Sequence, residues 1–379
     1  MSNNKFKINF INGLTLEVKN SPNNEYYVEF IDQDTNKVYF QTTLKNNHWA
    51  SPSPKYFLNW KILIKNLKGE VVYEYLYNAK NKRIFINFES NAIGDTLAWF
   101  PHVKKFQDKH KCQVIVSTFH NDFFKERYPE LIFSDKGSVV HNLYAQYNIG
   151  WFYEKNDKID YLKNPTNFRL QTLAKTCTSI LGLNYQETKP LLSFKNTGST
   201  IKDKYVVIAP HGSAHAKYWN NPGGWQTIID YLNKNKYKVV MITKEPLNDE
   251  WHDSKLGGTL TGVINKTGDY PLSERANDIM NAKAFIGIGS GLSWLAWGLG
   301  TPVVMISGFS EAYSEFEDCE RVEAPKDKCG GCFNKVQLDA GDWEWCPEHK
   351  DTDRHYECTT SIESQIVIDA TNRQLEKNY

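Results

Sequence analysis

Twice along this chain a short apolar run passes through a glycine-bearing turn into a helix-like stretch and then into another apolar run. A buried strand followed by a helix and a further buried strand is the texture of a parallel sheet with helices on its faces, so this alternation restricts the fold more than any other feature. The first occurrence is RIFINFES, NAIG, DTLAWFPHVKKFQDKH and QVIVST, over residues 83–118. Pro101 lies inside its helical stretch and predicts a kink or break there. TNFRLQTLAKTCTSILGL, residues 166–183, reads as a helix closed by Gly182. The second occurrence begins at YVVIAP and continues through GGWQTIIDYLNKN, YKVVMIT, SERANDIMNA, AFIGIG, SGLSWLAWGLG and PVVMIS, residues 205–307. A polar segment, FKNTGSTIKDK, separates the two halves.

Before residue 80 the texture differs. Short runs such as KINFI, YYVEFI, KVYFQTTL and EVVYEYLY alternate apolar and polar positions between Asn, Gly, Asp and Pro turns, which predicts a small antiparallel β domain. The expected organisation is an α/β chain with two Rossmann-like lobes. Its parts are a β-rich domain at 1–80, a first lobe at 81–197, a second lobe at 198–318, a cysteine-bearing finger at 319–360 and a C-terminal helix at 361–379. Lys and Arg number 45 against 44 Asp and Glu, so no global field draws the chain to nucleic acid or an anionic membrane. The N-terminal residues MSNNKFKINF carry no charged-then-apolar signal pattern, and no apolar run reaches the roughly 18 to 20 residues that span a bilayer. A cytoplasmic protein is expected.

Four constellations can carry chemistry. In IGDTLAWFP, residues 93–101, Asp95 stands at a strand-to-helix turn, where it can cap the helix or face a ligand at the strand's carboxyl end. In APHGSAHAKYWNNPGGW, residues 209–225, Ser213 and Lys217 suit a phosphate group, while Trp219 and Trp225 read equally well as packing aromatics. The turn Gly289-Ser290-Gly291, continuing into Leu292 and Ser293, should present backbone N–H groups at a helix N-terminus to an anion such as a diphosphate. Cys329, Cys332, Cys346 and Cys358 form the pattern C-x2-C-x13-C-x11-C, which can close a tetrahedral site around one structural metal. A mixed set including His349 or His355 competes with it, and so do free structural cysteines.

Taken in order, GDTL at 94–97, KYW at 217–219 and SGLSW at 290–294 resemble the GT-B heptosyltransferases of lipopolysaccharide cores. The β-rich N-terminus and the C-terminal cysteines bring the resemblance closer to the bacterial autotransporter heptosyltransferases. The late loop departs from the core enzymes, with Gly289-Ser290 where they have Asp-Thr and Trp294 where they have His. The resemblance implies a GT-B fold and inverting transfer of heptose from ADP-heptose to serines of an autotransporter adhesin. It implies Asp95 as general base, Lys217 against the donor diphosphate, and Ser290-Gly291-Leu292-Ser293 as a donor-side phosphate contact; Ser213 is added from its place in the turn. It further implies iron (Fe3+) on the four cysteines, with zinc the other candidate, and a homo-oligomer, a dodecamer in that family. The alternatives are a GT-B enzyme with another nucleotide sugar or a glycolipid acceptor, and a non-catalytic carbohydrate- or peptide-binding module.

Overall fold

The computed structural model describes residues 5–21 and 25–377; the first four residues of the leader reading and the last two of the C-terminal segment lie outside them. By its contacts the chain divides into two compact units. The first takes in the chain up to Asn91, Trp99–Phe168 and Ala174–Thr188; the second takes Ala92–Ala98, Arg169–Leu173 and the chain from Lys189 onward.

In the first unit the alternating runs become antiparallel sheets. Strands β1 (Phe6–Asn9), β2 (Thr15–Val18) and β5 (Trp49–Ala50) form one. Strands β3 (Glu25–Asp32), β4 (Val38–Lys45), β6 (Trp60–Lys65) and β7 (Val71–Leu76) form the other, in the order β4-β3-β6-β7. In β3 and β6 every second residue is buried, among them Val28, Phe30, Ile62 and Ile64 at 0% exposure, as period-two patterning requires of a half-buried strand. A parallel sheet follows, β10-β9-β8-β11, built from β8 (Arg83–Phe88), β9 (Gln113–Ser117), β10 (Ile132–Phe133) and β11 (Ala145–Ile149).

Two sequence expectations need correction here. Helix α1 (Ile93–His110) runs unbroken through Pro101. The proline cannot donate to the carbonyl of Leu97, but Leu97, Ala98, Trp99, Phe100, Val103 and Phe106 are all buried at 0–1% exposure, and that packing outweighs the one missing bond. The predicted helix over 166–183 is shorter than expected. A 3-10 turn occupies Phe168–Leu170 and helix α2 only Leu173–Ile180. Its closure is as expected: Gly182 takes φ +61°, and the Leu183 N–H donates back to the Thr178 carbonyl at 2.8 Å.

The second unit is a six-stranded parallel sheet in the order β14-β13-β12-β15-β16-β17, from β12 (Tyr205–Ala209), β13 (Lys238–Met241), β14 (Val263–Asn265), β15 (Ala284–Ile288), β16 (Val303–Ile306) and β17 (Glu320–Val322). Helices α3 (Gly224–Lys234), α4 (Glu250–Ser254), α5 (Leu272–Met280) and α6 (Gly291–Leu299) link the strands. After β17 come the short helices α7 (Cys332–Lys335) and α8 (Glu357–Thr360), then α9 (Ser364–Glu376). Helix α9 returns to the sheet, and its Val367, Ile368, Ala370 and Leu375 join the core formed by β12, β13, β15 and α3. Trp219 and Trp225 belong to that core at 1% exposure, edge to face at 5.4 Å, with the Trp219 indole N–H donating to the Ile362 carbonyl at 2.9 Å. They are packing aromatics. Among the described residues no helix is long and apolar enough to cross a membrane.

Candidate active site and cysteine cluster

In the second unit the chain leaves β12 toward β13 on one side and returns through β15 on the other, so the strand order reverses between β12 and β15. In open α/β sheets the crevice outside the carboxyl ends at such a reversal is where ligands bind. The loops leaving these two strands carry the predicted donor residues: Ser213 and Lys217 after β12, and Gly289 to Ser293 after β15.

Lys217 ends a 3-10 turn over His215–Lys217. Its Nζ donates to the Ser213 hydroxyl at 3.1 Å and stands 5.5 Å from the centre of the Phe309 ring. Burial lowers the Lys217 pKa, while the carboxylates of Asp95 and Glu315 act to raise it. Asp95 is the third residue of α1, in the first turn, so it does not occupy the cap position itself. Along the chain this turn follows the first parallel strand, yet by contacts Ala92–Ala98 belongs with the second unit, the one that holds Lys217.

Two glycines let this turn approach α6. A Cβ on Gly94 would lie 3.0 Å from Trp294 Cδ1, and one on Gly291 would lie 3.0 Å from Ile93 Cβ. Both are tighter than ordinary side-chain contact, so the GD and SG pairs read in the sequence are the places where two helix starts meet. Ser290 precedes α6 with extended backbone, φ −141° and ψ 170°, and makes no side-chain cap. Its hydroxyl oxygen is buried with no hydrogen-bond partner among the described residues. Ser293 is different: fully buried, it donates to the Ile288 carbonyl at 2.6 Å and so serves the strand-to-helix turn. Leu292, at the second position of α6, is half-buried.

Glu315 carries no sequence motif and was invisible in the sequence. It is buried, accepts from Ser310 Oγ at 2.7 Å and Arg321 at 2.8 Å, and blocks any side chain at Gly289, whose Cβ would fall 2.9 Å from Glu315 Oε1. His211 was also missed. It is 5% exposed, with neither ring nitrogen partnered among the described residues, and burial lowers its pKa to about 4.

Of the four motif cysteines, Cys332, Cys346 and Cys358 are buried and Cys329 is half-buried, and none is in a disulfide among the described residues. A hydrogen bond with Cys358 holds the Cys329 thiol down at about 6, while burial pushes Cys332 up to about 12. Cys358 is raised, first by its bond with Cys329, and feels Cys332 and Cys346 as well. Among the described residues, the group of three metal-capable side chains whose ligand atoms lie within 4.8 Å of one another is Cys329, His349 and Glu357. Glu357 is already committed, accepting from Arg354 at 2.6 Å and from the Cys329 backbone N–H at 3.3 Å. His355 Nε2 lies against the Glu344 carbonyl at 3.3 Å, and Cys319 donates to the Phe316 carbonyl at 3.6 Å.

Residues 152–313 match the profile of glycosyltransferase family 9 (heptosyltransferase). The autotransporter heptosyltransferase BAHTCr of Citrobacter rodentium is 33% identical over 362 residues, 93% of this chain and 85% of that protein. The autotransporter heptosyltransferase TibC of Escherichia coli is 33% identical over 362 residues, 93% of this chain and 86% of TibC. Crystal structures of TibC superpose with a TM-score of 0.87, covering 99% of this chain and 96% of the TibC chain at 30% identity. TibC is described there as an iron-containing dodecameric glycosyltransferase from enterotoxigenic E. coli, and one of the structures holds ADP-D-beta-D-heptose.

Proposed function

The chain belongs to the autotransporter heptosyltransferases of glycosyltransferase family 9 and has their GT-B-like fold, and from that premise we propose how it transfers heptose from ADP-heptose to serine hydroxyls of an autotransporter adhesin. The observation that carries the site is what converges at the sheet's strand reversal: Lys217, its ammonium on Ser213, and the start of α6, where Gly291 closes on the turn that carries Asp95. Lys217, Ser213 and the backbone N–H groups of Ser290, Gly291 and Leu292 at the start of α6 hold the donor diphosphate, where a cation and a helix N-terminus offset charge leaving with ADP. Ser290 Oγ, buried with no hydrogen-bond partner among the described residues, can join them. Ser293 supports this turn from behind through Ile288, and Gly289 leaves room for the Glu315 carboxylate.

In the reaction, the acceptor serine oxygen attacks the anomeric carbon as that carbon's bond to the diphosphate oxygen breaks. Asp95 takes the serine proton, ADP leaves with the bonding pair, and the single displacement inverts the anomeric centre. The proton becomes acidic only as the new bond forms, so a carboxylate of ordinary basicity suffices.

The four thiols suit a structural iron. Three are buried and one is already held low, and tetrathiolate coordination leaves no open position for chemistry. Iron is taken over zinc because TibC is described as iron-containing. In this reading the chain has a β-rich part at 1–80, lobes at 81–197 and 198–318, a metal finger at 319–360 and a closing helix at 361–379. It works in the cytoplasm as a homo-oligomer, a dodecamer if it follows TibC. Val38 and Phe40 on β4 and Val71, Val72 and Leu76 on β7 are exposed, apolar surface of the kind that subunit contacts cover.

The test is a donor and acceptor screen. The chain is co-expressed with an autotransporter passenger, and serine peptides are read by mass; a heptosyl mass on serine is expected. In competition, ADP should displace ADP-heptose and UDP should not. Transfer from a UDP-sugar, or modification of glycolipid alone, would overturn the reading.

A further inference from the structure

We propose that the cysteine segment 329–360 is a clamp on the Lys217 loop after β12 and on the loop after β16 whose Phe309 ring underlies Lys217, with Asn334, Glu344 and Phe309 as positioning residues that set the diphosphate site; this rests on the placement of the donor at Lys217. The loop after β16 runs from Ser307 to Glu315, and its backbone is tied to the start of the cysteine segment. The Gly331 N–H donates to the Gly308 carbonyl and the Phe333 N–H to the Phe309 carbonyl, both at 3.1 Å. Asn334 Oδ1 accepts from the Glu311 N–H at 2.9 Å and from Ser314 Oγ at 3.0 Å, immediately before Glu315. At Gly308 the fit is backbone against backbone: a Cβ there would fall 2.0 Å from the Cys358 carbonyl oxygen.

The same segment grips the loop after β12. The His215 N–H donates to the Trp343 carbonyl at 3.3 Å, and its Nδ1 lies 2.9 Å from Glu344 Oε2. Glu344 also accepts from Tyr356 at 2.8 Å and Lys255 at 2.9 Å, so one carboxylate joins the loop to the far end of the segment. Asn220 donates to Thr359 Oγ1 at 2.9 Å and Asn221 to the Thr360 carbonyl at 3.0 Å. Between the two loops lies a buried cluster of Ala216, Phe309, Cys332, Trp345, Cys346 and Tyr356, in which two of the four motif cysteines are packed together with the residue beside Lys217. The Phe309 ring has the Lys217 ammonium on it and Trp345 at 5.7 Å.

A site made from loops is only as accurate as what holds them, and an anion contact displaced by an ångström loses much of its strength. The cysteine segment supplies that support here. None of these residues reaches the reacting atoms, so their effect should appear in donor affinity.

ADP binding by titration calorimetry, metal per chain and thermal midpoint are measured together on the wild type and on Lys217→Ala, Asn334→Ala and Phe309→Leu. Asn334→Ala and Phe309→Leu should keep the metal and bind ADP about tenfold more weakly. A merely stabilising role would lower the thermal midpoint and leave ADP affinity unchanged. The clamp is overturned if Asn334→Ala and Phe309→Leu both bind ADP like the wild type. Should Asn334→Ala shed its metal, Phe309→Leu decides alone, and full affinity in that variant overturns the proposal. Unchanged ADP affinity in Lys217→Ala would instead overturn the donor placement.

Discussion

Lys217 is buried at the strand reversal with its ammonium on Ser213 Oγ, and the carboxylates of Asp95 and Glu315 favour its charged form. Lys217→Ala should weaken ADP binding by roughly 1.5 to 3 kcal/mol, as loss of a hydrogen bond to a charged group does, with little change in thermal midpoint. Calorimetry reads this directly. A second prediction comes from His102, fully buried in α1 with neither ring nitrogen partnered among the described residues. Burial lowers its pKa to about 3, with the Lys105 charge acting the same way. The unfolded chain binds this proton near the ordinary value of about 6.5, so between those values the unfolded state holds more protons and stability falls as pH drops. The contribution is fully present above about 6.5 and gone near 3. His102→Leu should therefore flatten the decline in urea midpoint between about pH 7 and pH 5. A parallel decline in both proteins would show that His102 is not a source of the acid sensitivity. Lys217 and Asp95 were legible because they sit in short motifs at strand ends. His102 and Glu315 were not, because burial and partnership, which give them their properties, leave no mark in the local sequence.

Helix and strand existence was readable wherever periodicity was strong: β3, β7, β12, β15, α3, α5, α6 and α9 all fall where the patterns put them. Local rules kink or break a helix at Pro101, but the buried Trp99 and Phe100 keep α1 continuous, and the stretch expected as helix from 166 turns as a 3-10 helix at Phe168–Leu170 before α2 begins. The cysteine spacing was plain, yet nothing in it revealed what the segment holds. Its CGGC turn now has a stated reason: Gly331 takes φ +68° with Glu311 against it. Gly331→Ala should lower the thermal midpoint and the metal content together, through backbone strain and the clash with Glu311. Cys329→Ser and Cys358→Ser should each lose the metal, measured as iron per chain by elemental analysis. Retention of metal by all four single cysteine variants would remove the tetrathiolate assignment.

At the scale of the whole molecule, the chain joins a parallel-sheet unit that carries every proposed donor contact to a unit with two antiparallel sheets that the chemistry does not call on. In the proposed homo-oligomer, the exposed apolar residues on β4 and β7 offer one of these sheets as contact surface. Light scattering at micromolar concentration should find a homo-oligomer, and Val72→Asp with Phe40→Asp should reduce its mass; a monomeric wild type would remove this part of the account. The central claim is that Asp95 acts as base in heptosyl transfer to serine. It is tested most directly by the rate of transfer from ADP-heptose to a purified passenger, wild type against Asp95→Asn, with both proteins shown to bind ADP equally. The asparagine keeps the size of the side chain and much of its fit to the first turn of α1, but cannot take the proton. A loss of about a hundred- to ten-thousand-fold is expected, and transfer within about threefold of the wild type would contradict the account.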